Sequence, residues 1–159
     1  MSPSTQLRTF YVVRHAKAGS RSHWSGDDRL RPLSKKGKKQ AEELVKVLQP
    51  YPIRSVVASP YVRCIETVEP VAHARQMHVN SSAALAEGRG LAGLNEFVLD
   101  PGLDQVVLST HGDIVWELVE FLVNRRLIRP GEGGFEKAST WVLQVEDADV
   151  VKAQFLPAP

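Results

Sequence analysis

The order of elements predicts an α/β fold, a three-layer α/β/α sandwich with a mostly parallel central sheet. Three observations carry this. Short apolar runs at Phe10–Val13, Ser55–Ala58 and Gln105–Ser109 have the composition of buried strands. Segments with helical periodicity lie between and after them. Strands that alternate with helices form a layered parallel sheet, and right-handed crossovers place the helices on its faces. The length of 159 residues suits one domain, taken as residues 1–159, and no shift in composition divides it.

The first strand, Phe10-Tyr11-Val12-Val13, stops at Arg14-His15, and the small residues Ala16, Ala18 and Gly19 follow. A polar loop runs from Ser20 to Leu33. Ser34 is placed to cap the next helix, in which Ala41, Leu44, Val45 and Leu48 recur at helical spacing. Gly37 weakens the first turns of that helix, and Pro50 and Pro52 end it. Ser55–Ala58 is the second strand. Ser59-Pro60 then reads as a serine cap with proline at the first helical position, for a helix to about Ala72. A short strand is expected near Met77–Val79, and a short helix near Leu91–Leu99.

The third strong strand, Gln105–Ser109, ends in Thr110-His111-Gly112-Asp113. The helix after it turns Ile114, Val115, Leu118, Val119 and Leu122 inward, and Arg129-Pro130-Gly131 breaks it. Ser139–Val145 and Val150–Phe155 alternate as a terminal hairpin around residues 146–149. Trp116 and Trp141 are read as core residues.

Composition limits the function classes. A net charge of +2 gives no argument for a nucleic-acid polymer as partner. The charge is uneven, because nine Lys or Arg fall between Arg14 and Lys39 against only Asp27 and Asp28. That run suits a solvated loop and helix start, and also the approach of a phosphorylated substrate. Cys64 is the single cysteine, so no internal disulfide forms. The polar start lacks a signal-peptide core, and no apolar run reaches membrane-spanning length. These features favour a cytoplasmic protein with no membrane partner. Oligomeric state is left open.

Three strand-to-helix junctions carry reactive groups. Arg14 and His15 lie at the first, Arg63 one turn into the second helix, and His111 at the third. In a parallel sheet these junctions share one edge, so the residues converge. Guanidinium groups offer planar forks of donors that match phosphate oxygens. An imidazole can attack phosphorus and hold it covalently. Helix N-termini near Pro60 and Gly112 add donors and positive potential. A carboxylic acid is needed for the leaving oxygen. Glu87 is the first candidate and Asp113 the second, although the helix dipole alone accounts for an aspartate there.

The ordered set resembles the histidine phosphatase superfamily, also called phosphoglycerate mutase-like. Arg14-His15 after a strand, Ser59-Pro60-Tyr61-Val62-Arg63 with Glu66-Thr67, and Ser109-Thr110-His111-Gly112 carry the resemblance, from about Thr9 to Leu122. The segment Arg31–Gly37 is similar to the SixA-type phosphohistidine phosphatases and to the phosphatase half of actinobacterial Nudix fusions. No Nudix signature is present. The resemblance implies a phosphoglycerate mutase-like fold, His15 as the residue phosphorylated, and Arg14, Arg63 and His111 as the rest of a phosphate pocket. It implies no metal and no cofactor. The substrate is expected to be a phosphorylated small molecule or a phosphohistidine protein, with the branch favouring phosphohistidine. The alternatives are a phosphomutase of the same family and a non-catalytic phosphate-binding module. Ala16 departs from the family's usual glycine and is expected to alter the loop slightly, because alanine restricts positive φ. His23, His73 and His78 read as surface residues, and Asp27-Asp28 as a solvated turn.

Overall fold

A computed structural model describes residues 6–159. The polar start read from the sequence lies in part outside them. The elements in chain order are β1 (Leu7–Arg14), α1 (Lys35–Leu48), β2 (Ser55–Ala58), α2 (Val62–Ala74), β3 (Val79–Ser81), α3 (Gly90–Val98), β4 (Val106–Thr110), α4 (Gly112–Asn124), β5 (Thr140–Glu146) and β6 (Asp149–Leu156). Single 3-10 turns lie at Arg21–His23, Asp28–Leu30 and Ala83–Leu85.

The six strands form one sheet in the order β3-β2-β4-β1-β5-β6. The first four are mutually parallel, and the C-terminal hairpin adds two antiparallel strands beside β1. β1 alternates strictly across the sheet. Phe10 and Val12 point into a core closed by Leu94 of α3 and Ile114, Leu118 and Leu122 of α4. Tyr11 and Val13 point into a second core with Leu44 and Leu48 of α1 and Val68 and Val71 of α2. The helices therefore cover both faces, which gives the expected three layers. In register, Arg14 pairs with Thr110 and Ala58 with Ser109, so the carboxyl ends of β1, β2 and β4 finish level.

Several boundaries move. α2 begins at Val62 rather than Pro60, and its N-cap is Tyr61 without a side-chain bond. The third strand is Val79–Ser81, two residues later than expected, because it pairs with β2 from Val56 onward. α3 covers Gly90–Val98, and α4 ends at Asn124, ahead of the proline. Ser34 caps α1 as expected, accepting from the Gly37 amide at 3.1 Å. Trp141 is fully buried, but Trp116 is 49% exposed and does not belong to the core. Its indole meets Phe135 edge to face.

Arg8 was not singled out by sequence reasoning, yet its guanidinium is buried and donates to the carbonyls of Val98, Asp100, Leu103 and Asp147. It ties β1 to the α3–β4 loop and the hairpin turn. Among the described residues, no helix is long and apolar enough to cross a membrane.

Candidate functional site

The level strand ends explain why distant residues meet. The His15 amide donates to the Thr110 carbonyl at 2.9 Å, and the Ser59 amide to the Ser109 carbonyl at 2.9 Å. The three junctions thus extend the sheet ladder by one step before the chain turns away. A cavity of about 530 Å³ opens over them, lined among others by Arg14, His15, Arg63, Glu87, Gly112 and Asp113.

His15 is 7% exposed. Its Nδ1 lies 2.8 Å from the Ala16 carbonyl, which can only accept, so Nδ1 carries the proton and Nε2 keeps its lone pair. Burial is the main force that pushes its pKa down to about 3, and Arg63, His111 and Arg14 push the same way. The ring is therefore a neutral imidazole at ordinary pH. Ala16 is not among the residues with positive φ, so its methyl meets no backbone strain. Its amide donates to Thr67 Oγ1 at 2.8 Å, and that hydroxyl donates to the Arg63 carbonyl at 2.7 Å. Thr67 thereby ties the loop after β1 to the first turns of α2.

His111 is 1% exposed and does not line the cavity, although its ring centroid lies 5.7 Å from that of His15. Its Nε2 is 2.8 Å from Ser59 Oγ and 3.5 Å from Cys64 Sγ, and its ring packs edge to face on Tyr61. Burial, then Arg63, pushes its pKa down to about 3. The Ser59 hydroxyl is thus shared between the imidazole and the Tyr61 amide, from which it accepts at 3.4 Å, and α2 starts only at Val62. Burial also raises the Cys64 thiol to about 12, so it stays protonated and is no nucleophile.

Arg63 is 1% exposed. It donates to the Asp28 carbonyl at 3.0 Å and to Asp28 Oδ2 at 3.2 Å, lies 3.8 Å from Glu87 Oε1, and stacks over Tyr61. Asp28 is no simple solvated turn, because it also accepts from Arg31 Nε at 2.8 Å. It anchors the Arg21–Leu33 loop to the guanidinium. Asp27 stays local, holding Arg29. Arg14 donates to the Phe135 carbonyl at 2.9 Å. It lies so close to the start of α4 that a Cβ at Gly112 would sit 2.7 Å from its guanidinium carbon. Only glycine permits that approach. Among the described residues, the Nε groups of Arg14 and Arg63 are buried without a hydrogen-bond partner. Such donors are unusual in folded chains and invite an acceptor.

Glu87 is partly exposed and stands between Arg63 and Arg21, 3.8 and 3.6 Å away. Asp113 Oδ2 accepts from the Gly88 amide at 2.9 Å, so it holds the loop that carries Glu87. Lys17 and Lys137 complete the cationic wall, and Arg31 donates to the Gly19 carbonyl. His23, His73 and His78 are exposed, as expected. Among the described residues, no group of three or more His, Cys, Asp or Glu is arranged to hold a metal ion.

The two suppressed histidines make stability depend on pH. In the unfolded chain each imidazole takes up a proton near pH 6.5, while the folded chain resists until about pH 3. The unfolded state binds more protons in that window, so stability falls as pH drops through it, by up to about 1.4 kcal/mol per pH unit for each group. Thermal unfolding should show the midpoint declining from pH 6.5 to 5, above the range where Asp27 and Asp28 titrate. His111→Asn should flatten that slope; an unchanged slope would contradict the assignment.

The family model described as histidine phosphatase superfamily (branch 1) matches residues 10–90, the stretch that holds Arg14, His15, Arg63 and Glu87. A curated relative, an 8-oxo-(d)GTP phosphatase of Mycolicibacterium smegmatis, is 37% identical over 159 residues, covering 96% of this chain and 49% of that protein. The chain spans about half the length of that relative. Among solved structures, SixA of Agrobacterium tumefaciens aligns with a TM-score of 0.75 at 21% identity, over 96% of this chain and 99% of the other. A protein histidine phosphatase SixA complexed with tungstate gives 0.70 at 19% identity, over 94% of each. At such identities the likeness carries the fold, which is that of phosphoglycerate mutase-like proteins as the sequence predicts. The family match, covering the residues that build the first two junctions, gives the conclusion that this chain belongs to the histidine phosphatase superfamily (branch 1).

Proposed function

We propose that the chain is a phosphatase that works through a phosphohistidine at His15 and needs no metal. The observation that carries this is the His15 ring itself: its proton is held on Nδ1 by Ala16, and its free Nε2 belongs to a neutral ring in a cavity flanked by the buried Arg63 and the half-buried Arg14. Nε2 attacks phosphorus as the bond to the leaving oxygen breaks. Arg14 and Arg63 meet the equatorial oxygens, and the start of α4 adds its dipole. His111 packs edge to face against the His15 ring. Glu87, as a carboxylic acid, gives its proton to the leaving oxygen. The resulting carboxylate then takes a proton from water, whose oxygen attacks phosphorus. The P–N bond breaks, inorganic phosphate leaves, and both side chains return to their starting state.

The substrate is a phosphorylated small molecule or a phosphohistidine protein. The relative named as an 8-oxo-(d)GTP phosphatase supports the first; the SixA fold likeness is compatible with the second. Rapid mixing with a radiolabelled phosphodonor followed by a denaturing quench tests the scheme. The expected result is an acid-labile, base-stable label that maps to His15, and phosphate release that is the same with and without chelator. Release without any phosphoenzyme, or loss of release on chelation, overturns it. Transfer of the label to a phosphoglycerate instead of to water would identify a mutase, and binding without label a non-catalytic module.

A further inference from the structure

The cavity offers more than one phosphoryl group requires. Besides Arg14 and Arg63, Lys17 and Lys137 line it, both exposed, and neither is in an ion pair among the described residues. Uncompensated cations around one hollow raise the free energy of the empty site, and a second anionic group would relieve it.

At the edge of the same cavity stands an aromatic corner. Phe135 lines the cavity and is 37% exposed; Trp116 is 49% exposed. Their centroids are 4.9 Å apart and the rings are nearly perpendicular at 84°. The Phe135 backbone holds Arg14, whose guanidinium lies 5.9 Å from the Phe135 ring. Trp116 is four residues along α4 from Gly112, which also lines the cavity, so both lie on one helix face about 6 Å apart along the axis. A single exposed aromatic needs no explanation. Two that touch, beside a cationic cavity and in contact with its phosphate-facing arginine, form a surface suited to a planar ring.

We propose that this corner seats the base of a nucleoside diphosphate or triphosphate, with its terminal phosphoryl group at His15 and its inner phosphate against Lys17 and Lys137. The proposal rests on the phosphatase reading above and names the substrate class for that site. His15 Nε2 forms a bond to the terminal phosphorus while the bridging P–O bond breaks. The electron pair stays on the inner phosphate, where the two lysines stabilise it. Water then cleaves the P–N bond and releases inorganic phosphate, its proton passing to solvent. A phosphohistidine protein would bring one phosphoryl group and leave both lysines without a partner.

Calorimetric titration of the His15→Ala protein separates binding from turnover. The probes are guanosine diphosphate, guanosine monophosphate, adenosine diphosphate, inorganic pyrophosphate and a phosphohistidine peptide. The expected result is a preference for nucleoside diphosphate over pyrophosphate that falls about ten-fold with Trp116→Ala, the scale of base–aromatic stacking, and is largely kept by Trp116→Phe. Lys137→Ala should weaken diphosphate more than monophosphate binding. No preference for the nucleoside form, a preference indifferent to Trp116→Ala, or binding of the peptide alone overturns the proposal. Trp116 is exposed, so its variants should fold. Since no turnover is involved, failure here leaves the phosphoenzyme test standing, and failure of that test leaves this result standing.

Discussion

His15→Ala is expected to lower kcat/KM for an aryl phosphate by about 10⁴-fold or more, the scale on which nucleophile deletions act. The thermal midpoint should move far less than the rate. The imidazole is buried and neutral, and its only hydrogen bond among the described residues goes to the Ala16 carbonyl. Its removal opens a small void beneath the cavity, but it also removes the group whose protonation opposes folding in mild acid. The variant should therefore lose part of the stability decline below pH 6.5 while losing nearly all turnover. Initial rates and melting curves on the same preparation decide this. A residual rate within ten-fold of the parent, in a protein with native circular dichroism, would remove His15 from the reaction. Arg14 and Arg63 would then be left as a phosphate grip without chemistry.

The parts of this site that were legible in the sequence are those fixed by the end of a strand. Arg14-His15 and His111 follow apolar runs that stop abruptly, and parallel pairing then forces them together. What was not legible depends on long-range partners. Ser59-Pro60 has every local mark of a helix start, but the hydroxyl goes to His111, 52 residues away, and the helix begins at Val62. Asp28 looks like its neighbour Asp27, yet it reaches Arg63 across 35 positions. Trp116 illustrates a different error. Ile114, Val115, Leu118 and Leu122 define the buried stripe of α4. At 100° per residue Trp116 falls off that stripe, and its apolar character alone suggested burial. Ala16 was expected to alter the loop slightly; its φ is not positive, so the methyl adds no backbone strain there.

Gly37→Ala should destabilise the protein, against the local rule. In an exposed helix the change would add about 1 kcal/mol of stability, and the sequence reading treats Gly37 as a weak point in α1. In the fold it is a contact point. A Cβ there would sit 1.9 Å from the Lys17 carbonyl oxygen and 2.8 Å from its carbon, both backbone atoms. The Lys17 carbonyl cannot swing aside cheaply, since it accepts from the Ser34 amide at 2.9 Å and from Ser34 Oγ at 3.1 Å. Either α1 shifts away or the loop after His15 deforms. Overpacking against backbone costs about 3 kcal/mol, which for a domain of this size is roughly 6–12 °C in the thermal midpoint. Because Lys17 lies two residues from His15, kcat/KM should also fall, by about ten-fold, from misplacement of the loop. Gly19→Ala is the control for stability, since its Cβ would meet nothing nearer than the Pro32 carbonyl at 4.0 Å. If Gly37→Ala melted at or above the parent temperature, the first turn of α1 could not be pressed against the phosphate loop. The route by which the polar Ser34 cap positions His15 would then be lost with it.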